Sequence, residues 1–153
     1  MGTAPKKTAK AVTKSAKKAA TANAGGEITD QKQIYDRIER LLQRYSPPLT
    51  RSDQGVKNKR SYGLVSKKPV ELNGRIYPEC WFAGTIEQKG YVGFYYMPIY
   101  TLPEAKKALS PALLKLLKGK SCFYVKKLDK SLEADIANAL KAGFDLYKKK
   151  GMI

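Results

Sequence analysis

An α+β domain, built as an antiparallel sheet of about five strands with helices packed on it, follows from three features of the chain. Residues 34–45 and 132–147 place apolar side chains three and four apart, the spacing of one buried helix face. Between them, residues 61–97 hold runs rich in β-branched and aromatic side chains. The breaks between those runs are too short for the crossovers that parallel strands require.

Taken in order, Asp30 suits the cap of a first helix running to about Tyr45, with Ile34, Ile38, Leu41, Leu42 and Tyr45 as its buried stripe. Ser46-Pro47-Pro48 stops it, and residues 46–58 read as a loop centred on Asp53, Gln54 and Gly55. Strands are expected over Ser61 to Ser66 and Pro69 to Leu72. Asn73-Gly74 then forms a hairpin turn, because both residues tolerate positive φ. The return strand runs from Arg75 through Gln88 with a break near Pro78; Lys89-Gly90 turns the chain into Tyr91 to Met97. These are read as consecutive antiparallel partners. Pro103 opens a short helix over 103–109, and Ser110-Pro111 opens another, with Leu113, Leu114, Leu116 and Leu117 as its apolar side and Gly119 as its stop. Ser121 to Val125 is one more strand. The last helix starts at Ser131, with Glu133 and Asp135 early and Lys148, Lys149 and Lys150 late, matching the helix dipole. Leu132, Ile136, Leu140, Phe144 and Tyr147 form its buried stripe.

The charge is strongly one-sided: 30 basic and 13 acidic side chains give +17 over 153 residues. Residues 1–26 carry six of the cations, Lys6, Lys7, Lys10, Lys14, Lys17 and Lys18, with no acid, no aromatic and, beyond Met1, no apolar side chain larger than Val12. At about 100° per residue all six fall within an arc of roughly 120° on a helical wheel. So little apolar surface cannot offset the entropy of ordering, so this segment is expected to be disordered alone. Against a row of phosphates the lysines are neutralised, and the alanines favour helix. Ala24-Gly25-Gly26 closes the segment as a hinge. Residues 27–153 keep +11, from 24 basic and 13 acidic side chains, and suffice for one domain with its own core. The plain alternative for the tail is a solubilising extension.

Other function classes are excluded by composition. Without histidine there is no Ser-His-Asp or Cys-His chemistry and no His-built zinc site. Cys80 and Cys122 sit in apolar stretches and read as buried free thiols. No secretory h-region and no apolar run of spanning length is present, and a cytoplasmic, nucleoid-associated location is expected. Gly119-Lys120-Ser121 lacks the spacing of a phosphate-binding P-loop.

Two segments carry a resemblance. Tyr91-Val92-Gly93-Phe94-Tyr95-Tyr96-Met97-Pro98-Ile99-Tyr100 is one. Leu117-Lys118-Gly119-Lys120-Ser121-Cys122-Phe123, followed by a polar helix ending at Gly151, is the other. Over about residues 30–153 the chain resembles the YdhG-like domains, a mostly uncharacterised bacterial family that includes frataxin-like iron chaperones. The resemblance implies a small α+β fold, and its iron-chaperone members imply iron held by surface carboxylates. This chain's own acids argue against that: Glu133 and Asp135 point to different helix faces, and Asp145 lies among Lys141, Lys148 and Lys149.

Candidate sites follow from surplus apolar residues. In Tyr91–Met97 and Cys80–Ile86 both alternating sets are apolar or aromatic, whereas a half-exposed sheet is polar on one face. Either three helices cover one face and part of the other, or Trp81, Tyr95 and Tyr100 line a concavity for a ligand or a second subunit. Gly84 and Gly93 mark positions of close approach to backbone. Lys57, Lys59, Arg60, Lys67, Lys68 and Arg75 bracket the first hairpin. They read either as a solvated, aggregation-resistant edge or, with the aromatics, as a platform for single-stranded nucleic acid. The sequence thus points to a non-enzymatic binding domain of unassigned specificity. Its tail gives sequence-independent association with nucleic acid, and no cofactor, metal site or membrane is called for. The alternative is a small-ligand or iron-chaperone module using the aromatic face, and homodimerisation stays open.

Overall fold

The computed structural model describes residues 26–153, so the expectations for the lysine-rich tail lie outside the described residues apart from Gly26. Helix α1 spans Gln31–Gln43, and the Asp30 carboxylate accepts from the Gln33 amide at 3.2 Å. Its stripe of Ile34, Tyr35, Ile38, Leu41 and Leu42 is buried. Strands β1 (Thr50–Ser52), β2 (Ser61–Ser66), β5 (Cys80–Gln88), β6 (Tyr91–Tyr96), β7 (Leu117–Lys118) and β8 (Cys122–Val125) form one sheet in the order β1-β2-β5-β6-β8-β7. Every pairing in it is antiparallel. Strands β3 (Val70–Leu72) and β4 (Arg75–Tyr77) form a separate hairpin that closes on Asn73 and Gly74, at φ 54° and 77°. After β6 come the short helix α2 (Pro98–Thr101), a 3-10 turn (Pro103–Ala108) and the single-turn helix α3 (Pro111–Leu114). Helix α4 runs Lys130–Lys149.

Both long helices lie on the same face of the sheet. Phe82 of β5 is the meeting point: its ring lies 6.0 Å from Tyr45, 6.2 Å from Phe144, 5.4 Å from Tyr147 and 6.5 Å from Tyr96. Two tyrosines tie α4 to this layer. Tyr96 donates to the Ala139 carbonyl at 2.5 Å, and Tyr147 donates to the Trp81 carbonyl at 2.9 Å. Those bonds satisfy hydroxyls that burial would otherwise penalise. Ile28 and Leu128 exchange backbone bonds of 2.7 and 2.8 Å, fixing the entry of the chain beside the end of β8. At the other terminus, Ser66 Oγ donates to the Met152 carbonyl at 2.6 Å.

The α+β architecture is as the periodicity predicts, and four local expectations are corrected. The loop over 46–58 contains β1, an edge strand of three residues too short to show alternation. The expected consecutive pairing is interrupted, because β2 pairs with β5 and the β3–β4 hairpin stands apart as an insertion. Gly119 is not a helix stop: α3 ends at Leu114, and Gly119 (φ 83°) turns β7 into β8. The last helix starts one residue earlier than expected, at Lys130, capped by Asp129 accepting from the Leu132 amide at 2.8 Å. On that helix Ala139 and Gly143 are buried where Leu132 and Phe144 are only half-buried, because Tyr96 and Phe82 press closest at its centre.

Gly143 is required by this close approach. A Cβ there would strike the Tyr96 hydroxyl and come within 2.9 Å of Pro98 Cγ. Ala in place of Gly stabilises an exposed helix by about 1 kcal/mol. Gly143→Ala is instead expected to cost about 1–3 kcal/mol through overpacking, read as a lowered urea midpoint. Burial also drives the Tyr96 and Tyr147 phenols well above the ordinary tyrosine value. The fold keeps these protons while the unfolded chain releases them near pH 10, so the stabilisation is full below about pH 10 and is lost as pH rises beyond it. Urea midpoints measured from pH 8 to 11 are expected to fall only in the upper part of that range.

Candidate functional site: the open face of the sheet

Which side chains reach the face away from the helices is decided by a bulge. Leu64 stands opposite Ala83, but Val65 stands opposite Trp81, so Phe82 is an additional residue in β5. Cys80, Phe82 and Ala83 all join the helix-side core. Trp81, Gly84 and Ile86 therefore share the open face, which strict alternation does not give. The two-faced apolar pattern is thus explained in part by this one extra residue.

Three glycines run across the open face. Gly63 pairs with Gly84, and Gly93 stands opposite Ile86 on the next strand. The Gln54 side chain lies on the first two: a Cβ at Gly63 would come within 2.5 Å of Gln54 Cγ, and one at Gly84 within 2.5 Å of Gln54 Oε1. Gln54 reaches this position from a positive φ of 60°, and its Nε2 donates to the Thr85 carbonyl at 3.2 Å. The residue expected at the centre of a solvated loop is a strap across the sheet. Over Gly93 lies the ring of Tyr95, with Tyr95 Cε2 2.8 Å from where a Cβ would be. Gln88 joins this layer: its Nε2 donates to the Tyr95 hydroxyl at 3.2 Å, and its Oε1 accepts from Lys59 Nζ at 2.6 Å. Beside them Tyr91 and Tyr124 stack at 4.0 Å and 11°.

The sequence-predicted aromatics do not all meet. Trp81 and Tyr100 come together, with Tyr77, Met97, Asn73 and Glu79, around a cleft of about 470 Å³ at one end of the open face. Tyr95 lies farther along the same face and does not line the cleft. Tyr77 was not singled out by sequence, although its place in a projecting hairpin beside exposed Ile76 (74 % exposed) is a usable signal. Two cations rest on the rim aromatics: Arg75 Cζ is 5.9 Å from the Tyr77 ring centre, and Lys120 Nζ is 5.5 Å from that of Tyr100. Neither is in an ion pair among the described residues.

The basic cluster read around the first hairpin is divided by the fold. Arg60 turns to the helix side, 4.1 Å from the Tyr35 ring and 2.5 Å from Asp36, and Lys67 pairs with Glu79 at 2.7 Å. Lys59 stays at the Gln88 end of the open face, with Lys89 in the β5–β6 turn and Lys126 directly after β8. Residues Gly119-Lys120-Ser121 lead into a strand and not a helix. The acids weighed for iron are engaged elsewhere: Glu133 with Arg37 at 2.9 Å, Asp135 with Ser110 Oγ at 2.7 Å and Asp145 with Lys141 at 2.8 Å. Among the described residues no three His, Cys, Asp or Glu side chains gather to hold a metal ion. No helix of the described residues is long and apolar enough to cross a membrane.

Both thiols are free; Cys80 is buried as expected, whereas Cys122 is half-exposed at the strand margin. Burial raises each thiol above its ordinary value, with the Tyr147 hydroxyl opposing at Cys80 and the Tyr95 hydroxyl opposing at Cys122. A comparison with protein-family models, curated proteins and solved structures found no match. The thiolate is the nucleophile, so Cys122 is expected to alkylate slowly at pH 7. Its iodoacetamide rate should climb only above about pH 8.5, the ordinary cysteine value. A fast, pH-independent rate near neutrality would contradict the neutral thiol.

Proposed function

We propose that this protein is a non-enzymatic binding protein that associates with nucleic acid independently of base sequence, through the lysines of residues 1–26 and the basic domain behind them. The observation that carries the reading is the unbalanced charge, +17 overall with six cations and no acid in the first 26 residues. The domain does not neutralise itself either. Its ion pairs engage only Arg37, Arg60, Lys67, Lys127, Lys141 and Lys150 among the described residues, out of 24 cations. Cations without carboxylate partners gain most by displacing the condensed counterions of a polyphosphate. Against a catalytic role stand the missing histidine and two thiols that burial keeps protonated. A YdhG-like assignment over about residues 30–153 belongs to the same proposal and is supported by the α+β architecture. Its iron-chaperone version finds no support in the engaged carboxylates.

The test is a salt series on random-sequence duplex DNA with the full chain and with a variant carrying glutamine at all six tail lysines. At about −0.9 per phosphate contact, the logarithmic salt slope of the variant is expected to be shallower by about 5. Identical slopes would remove the tail as the anchor, and an absence of binding in dilute buffer would remove the proposal.

A further inference from the structure

The cleft between Trp81, Tyr77 and Tyr100 divides its chemistry in a way that orients a ligand. Its walls are aromatic faces and Met97, and Glu79, Asn73 and Thr101 are polar residues of its lining. Its rim is cationic: Arg75 rests on Tyr77, and Lys120 rests on Tyr100 with Lys118 two residues before it. Glu79 is paired with Lys67 at 2.7 Å, so the interior offers a phosphate no free cation, whereas the rim cations Arg75 and Lys120 attract it. A flat heteroaromatic ring with exocyclic amino or carbonyl groups suits the interior, where it stacks and meets the acceptor of Glu79 and the amide of Asn73. Tyr100 is 55 % exposed and Tyr77 39 %, so these faces are open to a ligand from solvent.

We infer that the cleft takes an unpaired nucleobase of a single-stranded nucleic acid, with the flanking phosphates on Arg75 and Lys120. The inference rests on the nucleic-acid reading above and adds selectivity to it. A base within a duplex is stacked and paired and cannot enter the cleft, whereas every unpaired base offers a ring face, so the preference is for strandedness and not for sequence.

Trp81 is the chain's one tryptophan and lines the cleft, so its emission reports the site alone. The full chain would be titrated with a mixed-sequence 12-mer single strand, with the same sequence as duplex, and with inorganic polyphosphate as a base-free polyanion. Binding would be followed in parallel by anisotropy of labelled oligonucleotide and by competition. All three ligands are expected to bind, and only the single strand to quench Trp81, by about half or more. Loss of one stacking partner or one rim charge should weaken single-strand binding without touching the fold. Tyr100→Ala is expected to weaken it about 10-fold or more, leaving duplex affinity within about twofold. Lys120→Gln, a second surface change, is expected to weaken it by a few-fold. Single strand and duplex bound equally with unchanged Trp81 emission would overturn the inference and leave the electrostatic reading standing. Equal quenching by polyphosphate would overturn it too, as an effect of charge alone. So would a Trp81 emission that shifts with protein concentration before any ligand is added, which marks a second copy in the cleft. No binding of any ligand at low salt would overturn both readings together.

Discussion

The structure depends on one displaced residue in its central strand. The bulge that inserts Phe82 into β5 turns Cys80, Phe82 and Ala83 toward the two long helices and sends Trp81 the other way. Phe82 then reaches Tyr45, Tyr96, Phe144 and Tyr147 at once, so helix α1's C-terminal extension, strand β6 and helix α4 are joined through one ring. Aromatic pairs in such tilted and edge-on arrangements add about 0.5–1.5 kcal/mol each beyond their burial. Strict alternation from Trp81 through Phe82, with no bulge, would place Ala83 on the opposite side from the one observed and away from Leu64's side.

The two faces of the sheet are consequently built on different principles. On the helix side, large rings and aliphatics interdigitate and the hydroxyls of Tyr96 and Tyr147 are satisfied by backbone carbonyls. On the open side, Gly63, Gly84 and Gly93 keep the relief low, and Gln54 and Tyr95 lie flat over them. Placing a larger side chain at Gly63 would displace Gln54 and its bond to the Thr85 carbonyl, so the glycines and the strap form one unit. A low, partly polar surface with half-buried aromatics is stable in water without a third layer, yet still offers ring faces to a ligand.

Much of the fold was legible because its signals are local. Asp30, Asn73-Gly74 and Ser110-Pro111 each act within four residues, and each does in the structure what its chemistry suggests. The misreadings share a different cause, because they depend on partners distant in the chain. Strand β1 exists only because β2 pairs with it, and the sides of Ala83 and Ile86 follow from register with β2. Gln54's role depends on glycines 9 and 30 residues away in the chain. Of the candidate site, the sequence located Trp81 and Tyr100. It grouped Tyr95 with them because Tyr95 and Trp81 lie on neighbouring aromatic-rich strands, although Tyr95 is held over Gly93 and away from the cleft. Tyr77 escaped notice because its hairpin folds back as a separate two-stranded unit.

The bridge between Ile28 and Leu128 has a geometric consequence for bivalent attachment. It fixes the point where the first 25 residues join the domain at the Lys126 end of the sheet, whereas the aromatic cleft occupies the opposite end. Strand β5 from Trp81 to Gln88 measures about 23 Å at ~3.3 Å per residue. Under the proposed nucleic-acid reading, a polymer running straight from that junction to the cleft would cover about seven stacked nucleotides at ~3.4 Å each. Under that reading, oligomers that touch the tail and the cleft together would gain the avidity of an intramolecular second contact. Under the proposed reading, oligomer length would matter as well as charge.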